Sequence, residues 1–225
     1  MRLLFLISFF SLVYSPLLCQ EKKDGSLVVK LVYGKDSFKI EDAKPISEHA
    51  NETQFQVLKF YITGLEFYEN GKRVWKENAN YHLIDASKPE SLKLPVYKPE
   101  HIRFDALKFV LGVDSLTNVS GVMGGDLDPT KGMYWTWQSG YIHFKLEGKS
   151  AACQNPKKEF QFHLGGYRAP YSTIQTITIV TAKLELVFDI KSFMEQLNLS
   201  KQDHLMLPGA EAKRLSDLLH RSFRK

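Results

Sequence analysis

The stretch QVLKFYITGLEFYENGKRVW, residues 56–75, decides the fold. Leu58, Phe60 and Ile62 alternate with Lys59, Tyr61 and Thr63, and a period of two is the pattern of a pleated strand with one buried face. The Asn70-Gly71 dipeptide that follows is a tight-turn signal, so 56–69 is predicted to fold back on a short strand containing Val74 and Trp75.

The same alternation recurs on both sides. SLVVKLVY (26–33), NYHLID (80–85), IRFDALKFVLG (102–112), GYIHFKLEG (140–148), KEFQFHLG (158–165), TIQTITIV (173–180) and AKLELVFDI (182–190) all read as half-buried strands. Only the carboxyl end changes period. In PGAEAKRLSDLLHRSF (208–223), Ala212, Leu215, Leu218 or Leu219, and Phe223 recur at helical spacing. Glu211 lies in the first turn and Arg221 and Arg224 in the last, as the helix dipole favours. A shorter helix is expected around Ser192–Leu197. The predicted fold is all-β: a single antiparallel β-sandwich domain over residues 26–225 with a C-terminal amphipathic helix.

Residues 1–19, MRLLFLISFFSLVYSPLLC, hold one arginine, then an apolar run without an acid, and read as a signal peptide. Cys19 or Gln20 is the expected last residue removed. Lipidation of Cys19 is the alternative, but Leu18 stands where a lipobox carries a small residue. No other segment has the length and hydrophobicity of a transmembrane span, so the expected product is secreted or periplasmic. Removal of Cys19 leaves Cys153 alone, which excludes an internal disulfide framework. About 206 residues then suffice for one sizeable core.

The formal charge of +5 does not indicate a nucleic-acid partner. Arg2 leaves with the leader, and residues 211–225 carry five basic against two acidic side chains, so the body is close to neutral. The basic end reads as a solvated helix face, and no nucleic-acid-binding motif accompanies it.

An exported hydrolase is the obvious enzyme class, yet the chain has no G-x-S-x-G elbow, no H-E-x-x-H and no phosphate-binding loop with its lysine. The reading is of a protein that is not an enzyme. Metal ligands are better represented: histidines 49, 82, 101, 143, 163, 204 and 220, with five methionines. Imidazole beside soft sulfur or aromatic groups suits copper, while a lone cysteine excludes a cysteine-rich zinc site. No H-x-H or H-x-x-x-H pair exists, so a site must be assembled between strands. Alternation sends Ile142, Phe144 and Leu146 to the core and Tyr141, His143, Lys145 and Glu147 to the other face; Gln161 and His163 likewise oppose Phe160, Phe162 and Leu164. The bland alternative for each histidine is an ordinary hydrogen-bonded residue.

Residues 112–134, GVDSLTNVSGVMGGDLDPTKGMY, fit neither period, and a loop this long in a compact domain is usually functional. Its Asp114, Asn118, Asp126 and Asp128 are hard oxygen ligands suited to calcium, although Asp and Asn beside Gly or Pro are also ordinary turn chemistry. The loop leads into Trp135 and Trp137, which share a face if the segment is a strand. Core packing is the plain account of such a pair.

YHLIDASKPES (81–91), FVLGVDSLTNVSGVMGGDLDPTKGMYWTWQSGYIHFKLEGKS (109–150), FQFHLGGY (160–167) and HLMLPGAEAKRLSDLL (204–219) together resemble the MbnP-like family, named for an exported copper-binding protein associated with methanobactin systems. LDPTKGMYWTWQSGY is the most specific piece. The resemblance implies a β-rich exported copper-binding protein in which a partner di-haem enzyme oxidises a tryptophan to kynurenine, which joins histidine nitrogens on the metal. It assigns Trp135 and Trp137 to the tryptophan motif and His163 to the FHLGG-type segment; the expected copper site is His163 with His143 or His82 beside the two tryptophans. The W-x-H arrangement of some relatives is absent: Trp75, Trp135 and Trp137 are followed two residues on by Glu77, Trp137 and Ser139. The rival expectation is an exported carbohydrate- or protein-binding module without metal, using the 112–134 loop and exposed aromatic rings.

Overall fold

The computed structural model describes residues 24–40, 53–78, 80–98, 102–137 and 140–224. The leader expected over 1–19, and the fate of Cys19, lie outside the described residues, as do His49 and His101. The strands are β1 (Asp24–Tyr33), β2 (Asp36–Ser37), β3 (Thr53–Glu69), β4 (Lys72–Lys76), β5 (Tyr81–Asp85), β6 (Lys93–Tyr97), β7 (Ala106–Leu111), β8 (Tyr134–Trp135), β9 (Gly140–Ser150), β10 (Glu159–Gly165), β11 (Gln175–Val180), β12 (Glu185–Asp189), β13 (His204–Leu205) and β14 (Phe223–Arg224). Three short helices join them: α1 (Ser115–Ser120), α2 (Ile190–Met194) and α3 (Ala210–Leu219). None of the described helices is long and apolar enough to cross a membrane.

Two mixed sheets face each other. The larger runs β11-β7-β3-β9-β10-β13, with β4 and β5 also on β3 and β8 on β9; the smaller runs β14-β12-β1-β2, with β6 on β1. The 17-residue β3 is its spine: its first half pairs with β9, its middle with β5, and its second half with β7 and β4. The Asn70-Gly71 turn forms as its sequence predicts, with both residues at positive φ. Antiparallel pairing dominates, but β1 lies parallel to β12 and β10 parallel to β13. Both parallel partners are joined by long connections, as parallel pairing requires, and alternation within one strand carries no information about its neighbour's direction.

The predicted inward faces pack as expected except at Ile142, which joins a second cluster because the register shifts by one residue at His143. Phe60, Phe144, Phe160, Phe162, Phe188 and Phe223 are buried in one cluster spanning both sheets. Phe60 meets Phe188 at 5.1 Å between ring centroids and Phe188 meets Phe223 at 4.9 Å. Ala212, Leu215 and Leu219 of α3 enter the same cluster, so the helical stripe docks as predicted.

A second, smaller cluster lies on the outer face of the large sheet. Tyr61, Leu83 and Tyr141 project there, and Val113, Leu127, Met133 and Trp135 of the long connection fold down over them. Lysines tie this cover to the strands: Lys59 Nζ donates to the Lys131 carbonyl at 3.2 Å and Lys145 Nζ to that of Gly132 at 3.3 Å.

Candidate functional site

The chain reaches Trp135 through the two-residue β8, in which Tyr134 pairs with Tyr141 and Trp135 with Gly140. Trp135 is buried, and its benzene ring lies on Gly165, where a Cβ would come within 2.7 Å of Cζ3. The strand ends there, so alternation does not extend to Trp137, which is 62% exposed although its ring centroid stays 5.5 Å from that of Trp135. Core packing therefore accounts for the first tryptophan and not for the second.

His143 and His163 lie on the paired strands β9 and β10, where a register shift between Leu164 and Gly165 leaves His143 at a bulge without a ladder partner. Register sets His163 opposite Lys145, two residues from His143, and sets Gly165, with Trp135 on it, opposite Ile142. His143 is fully enclosed, its ring pressed on Gly112, where a Cβ would come within 3.0 Å of Cγ and Nδ1. Its Nδ1 lies 2.9 Å from Thr173 Oγ1. The Thr173 hydroxyl donates its single hydrogen to the Gly166 carbonyl, so His143 Nδ1 carries the proton and donates to Thr173. That leaves the Nε2 lone pair bare. Burial pushes the His143 pKa down to about 3, with Asp114 opposing the shift only in part, so the ring is neutral at ordinary pH.

His163 reaches the same condition by another route. Its Nε2 lies 2.6 Å from Glu147 Oε1. The hydrogen bond with His163 and the nearby Lys145 hold the Glu147 carboxyl down at about 2, against the opposing effect of burial. A carboxylate only accepts, so Nε2 donates, and Nδ1 is left buried without a partner. Trp135 Nε1, His143 Nε2 and His163 Nδ1 are all buried without a hydrogen-bond partner, three of five such side-chain atoms among the described residues. Unsatisfied buried polar atoms are costly enough to require an explanation, and here two of them are imidazole nitrogens on adjoining strands.

His82 does not join them. It sits opposite Ile62 on β5, and Ile62 faces the main core, whereas Tyr61, which shares the parity of His143, faces outward. Its Nε2 is taken by Glu77 Oε1 at 2.9 Å. Cys153 is buried in the main core, where burial raises its thiol pKa. Among the described residues no three His, Cys, Asp or Glu side chains gather where they could hold a metal ion.

The loop oxygens are engaged separately. Asp114 caps α1, accepting from Thr117 N at 3.0 Å, and also takes the Tyr81 hydroxyl at 2.6 Å. Asn118 Nδ2 donates to the Val113 carbonyl at 2.9 Å while its Oδ1 accepts from Tyr141 N. Asp126 accepts from Leu83 N at 2.9 Å, and Asp128 caps a 3-10 turn through Thr130 N at 2.8 Å. Asp114 and Asp128 thus perform cap and turn chemistry, while Asn118 and Asp126 tie the loop to β9 and β5.

Thr173, Glu147, Gly112 and Gly165 complete the patch. Glu147 was readable as sharing a β9 face with His143; the other three depend on contacts between strands and carry no local signal.

The match to known proteins follows the same segments. The family model for MbnP aligns with residues 22–209, which include both histidines and both tryptophans. This chain belongs to the MbnP family. Among solved structures it is similar to MbnP from Methylosinus trichosporium, with a TM-score of 0.58 and 16% identity over 84% of this chain and 82% of that one. At that identity the match concerns the MbnP fold, including its sandwich of mixed sheets. No curated protein sequence matches the chain.

Proposed function

We propose that this member of the MbnP family is an exported, non-catalytic protein that binds copper through His143 Nε2 and His163 Nδ1 beside Trp135. The observation that carries the proposal is the pair of buried, unpartnered imidazole nitrogens on adjoining strands, each opposite a nitrogen already committed to Thr173 or Glu147. Metal-ligating histidines are generally fixed in this way, the second nitrogen bonded to a hydroxyl, carbonyl or carboxylate. Two neutral imidazoles suit Cu(I), which tolerates few ligands. An intact indole has no lone pair to offer, so Trp135 becomes a third donor only after oxidation of its ring; family resemblance suggests a di-haem enzyme for that step.

The test is Cu(I) competition against a chromophoric chelator with wild type and the His143→Ala, His163→Ala and double variants. Uptake of one equivalent, weakened at least tenfold by each single change, is expected. Equal uptake by the double variant would remove the proposal.

A further inference from the structure

The end of the large sheet where β9 begins and β10 ends is almost free of charge. Segments 115–125, 132–137, 140–144, 164–174 and 205–210 meet there, and in a chain that is 24% charged they hold one formal charge, Arg168. Ser115 Oγ ties α1 to this end by donating to the Tyr167 carbonyl at 3.3 Å. Seven of the nine exposed large apolar side chains among the described residues lie on these segments: Leu116, Val119, Val122, Met123, Trp137, Tyr171 and Leu207. Ordinary surface exposure scatters such side chains, and a patch marks a binding site.

Four of these segments form a cleft of about 220 Å³ lined by Trp135, Tyr167, Arg168, Tyr171 and Pro208 with neighbouring glycines; Trp137 lies next to it, 5.5 Å from Trp135 between ring centroids. Arg168 lies at its wall with its guanidinium 5.4 Å from the Tyr167 ring centroid and donates to the Tyr167 hydroxyl at 3.3 Å. No carboxylate among the described residues pairs with it, although most acids of the sheets are paired. A planar cation pre-stacked on a ring and left without an anion is a carboxylate receptor. A bilayer suits the surface poorly. Binding to anionic lipid draws on several basic residues, and irregular backbone such as 166–174 is costly in hydrocarbon.

We propose that this cleft binds a carboxylate carried on a flat apolar group, with Arg168 receiving the charge and Trp137 and Tyr171 the apolar part. Free aromatic acids and peptide C-termini ending in an aromatic residue share this chemistry. The cleft shares Trp135 with the proposed copper site but is lined by neither histidine and does not rest on the copper reading.

The metal-free protein is titrated with phenylacetate, with acetyl-Gly-Gly-Phe and with the amides of both, following tryptophan emission and calorimetric heat. Each acid that binds is expected to do so about tenfold or more tightly than its amide, the worth of one charge-assisted pair. Arg168→Gln should bring acid down to amide level, and Trp137→Ala should weaken both, with melting temperatures unchanged because both side chains are exposed. Tighter binding of phenylacetate identifies a small acid as the ligand, and tighter binding of the peptide a chain terminus. Equal affinity for acid and amide, no saturable binding of either acid, or an Arg168→Gln variant that binds like wild type overturns the proposal.

Discussion

Glu147 Oε1 lies 2.6 Å from His163 Nε2, and the bond joins β9 to β10 on the outer face of the sheet. It fixes which nitrogen of His163 is bare. Glu147→Gln removes the charge and can present its amide nitrogen to the ring, so the proton is free to move to Nδ1. Outer-shell partners of this kind are worth about 10- to 100-fold in metal affinity. Glu147→Gln should therefore weaken Cu(I) binding by that factor in chelator competition, with little change in melting temperature. Unchanged affinity would separate Glu147 from the metal.

Acidification should unfold the protein in two windows. His143 has its folded pKa lowered from 6.5 to about 3, so the unfolded chain binds the extra proton and stability falls as pH drops below 6.5 towards 3. The slope for one proton approaches about 1.4 kcal/mol per pH unit. Glu147, lowered from 4.5 to about 2 chiefly by its bond with His163, contributes stability above 4.5 that is lost as pH falls towards 2. His143→Asn retains a donor towards Thr173 and cannot titrate. Urea unfolding of metal-free protein between pH 4 and 6.5 should show a shallower slope for this variant than for wild type; identical slopes would mean that His143 protonates freely in the fold.

Asp114 tests the loop. It caps α1 through Thr117 N and also receives the Tyr81 hydroxyl, and these bonds outweigh burial to hold its carboxyl below the usual range. Asp114→Ala should cost about 1–2 kcal/mol in denaturant unfolding, and Asp114→Asn, a good cap, distinctly less. Because Asp114, Asn118, Asp126 and Asp128 are bonded to different parts of the loop, added calcium should leave the melting temperature unchanged. A calcium-dependent rise would show that these oxygens can be drawn together.

Strands were legible because each buries one face, so the alternation in 56–69, 140–148 and 158–165 appears as β3, β9 and β10 with small changes at the ends. The face on which a histidine lies relative to another strand was not legible. A shift of one residue in register exchanges the faces, and register is a property of the pair. His143 falls at a bulge because pairing passes from Leu164–Phe144 to Gly165–Ile142, and His82 shares the face of Ile62 because the two are paired. Trp137 departs from its expected parity because β8 is two residues long. The six-residue α1 is too short for a helical period to stand out, though its cap, Asp114, was visible as turn chemistry.

Gly165 is the point at which indole, sheet and patch meet. A Cβ built there would lie 2.7 Å from Trp135 Cζ3, 3.0 Å from Cη2 and 2.7 Å from the Tyr141 carbonyl oxygen. The indole can tilt away, but the carbonyl belongs to β9, and its retreat would disturb the β9–β10 ladder beside His143 and His163. Overpacking of this kind costs about 1–3 kcal/mol. Gly165→Ala should therefore lower stability by that amount and shift tryptophan emission to the red, as Trp135 leaves the cover of the sheet and meets water. Since His143 and His163 both lie on the disturbed strands, the copper proposal expects Cu(I) affinity to fall as well, although no ligand has been removed. Gly124→Ala, with nothing within 4 Å of the added methyl, is the matched control and should change neither emission nor affinity. A Gly165→Ala protein as stable as wild type, with the same emission, would mean that the Trp135 ring does not rest on this glycine, and the patch would lose the contact that holds its indole beside the histidines.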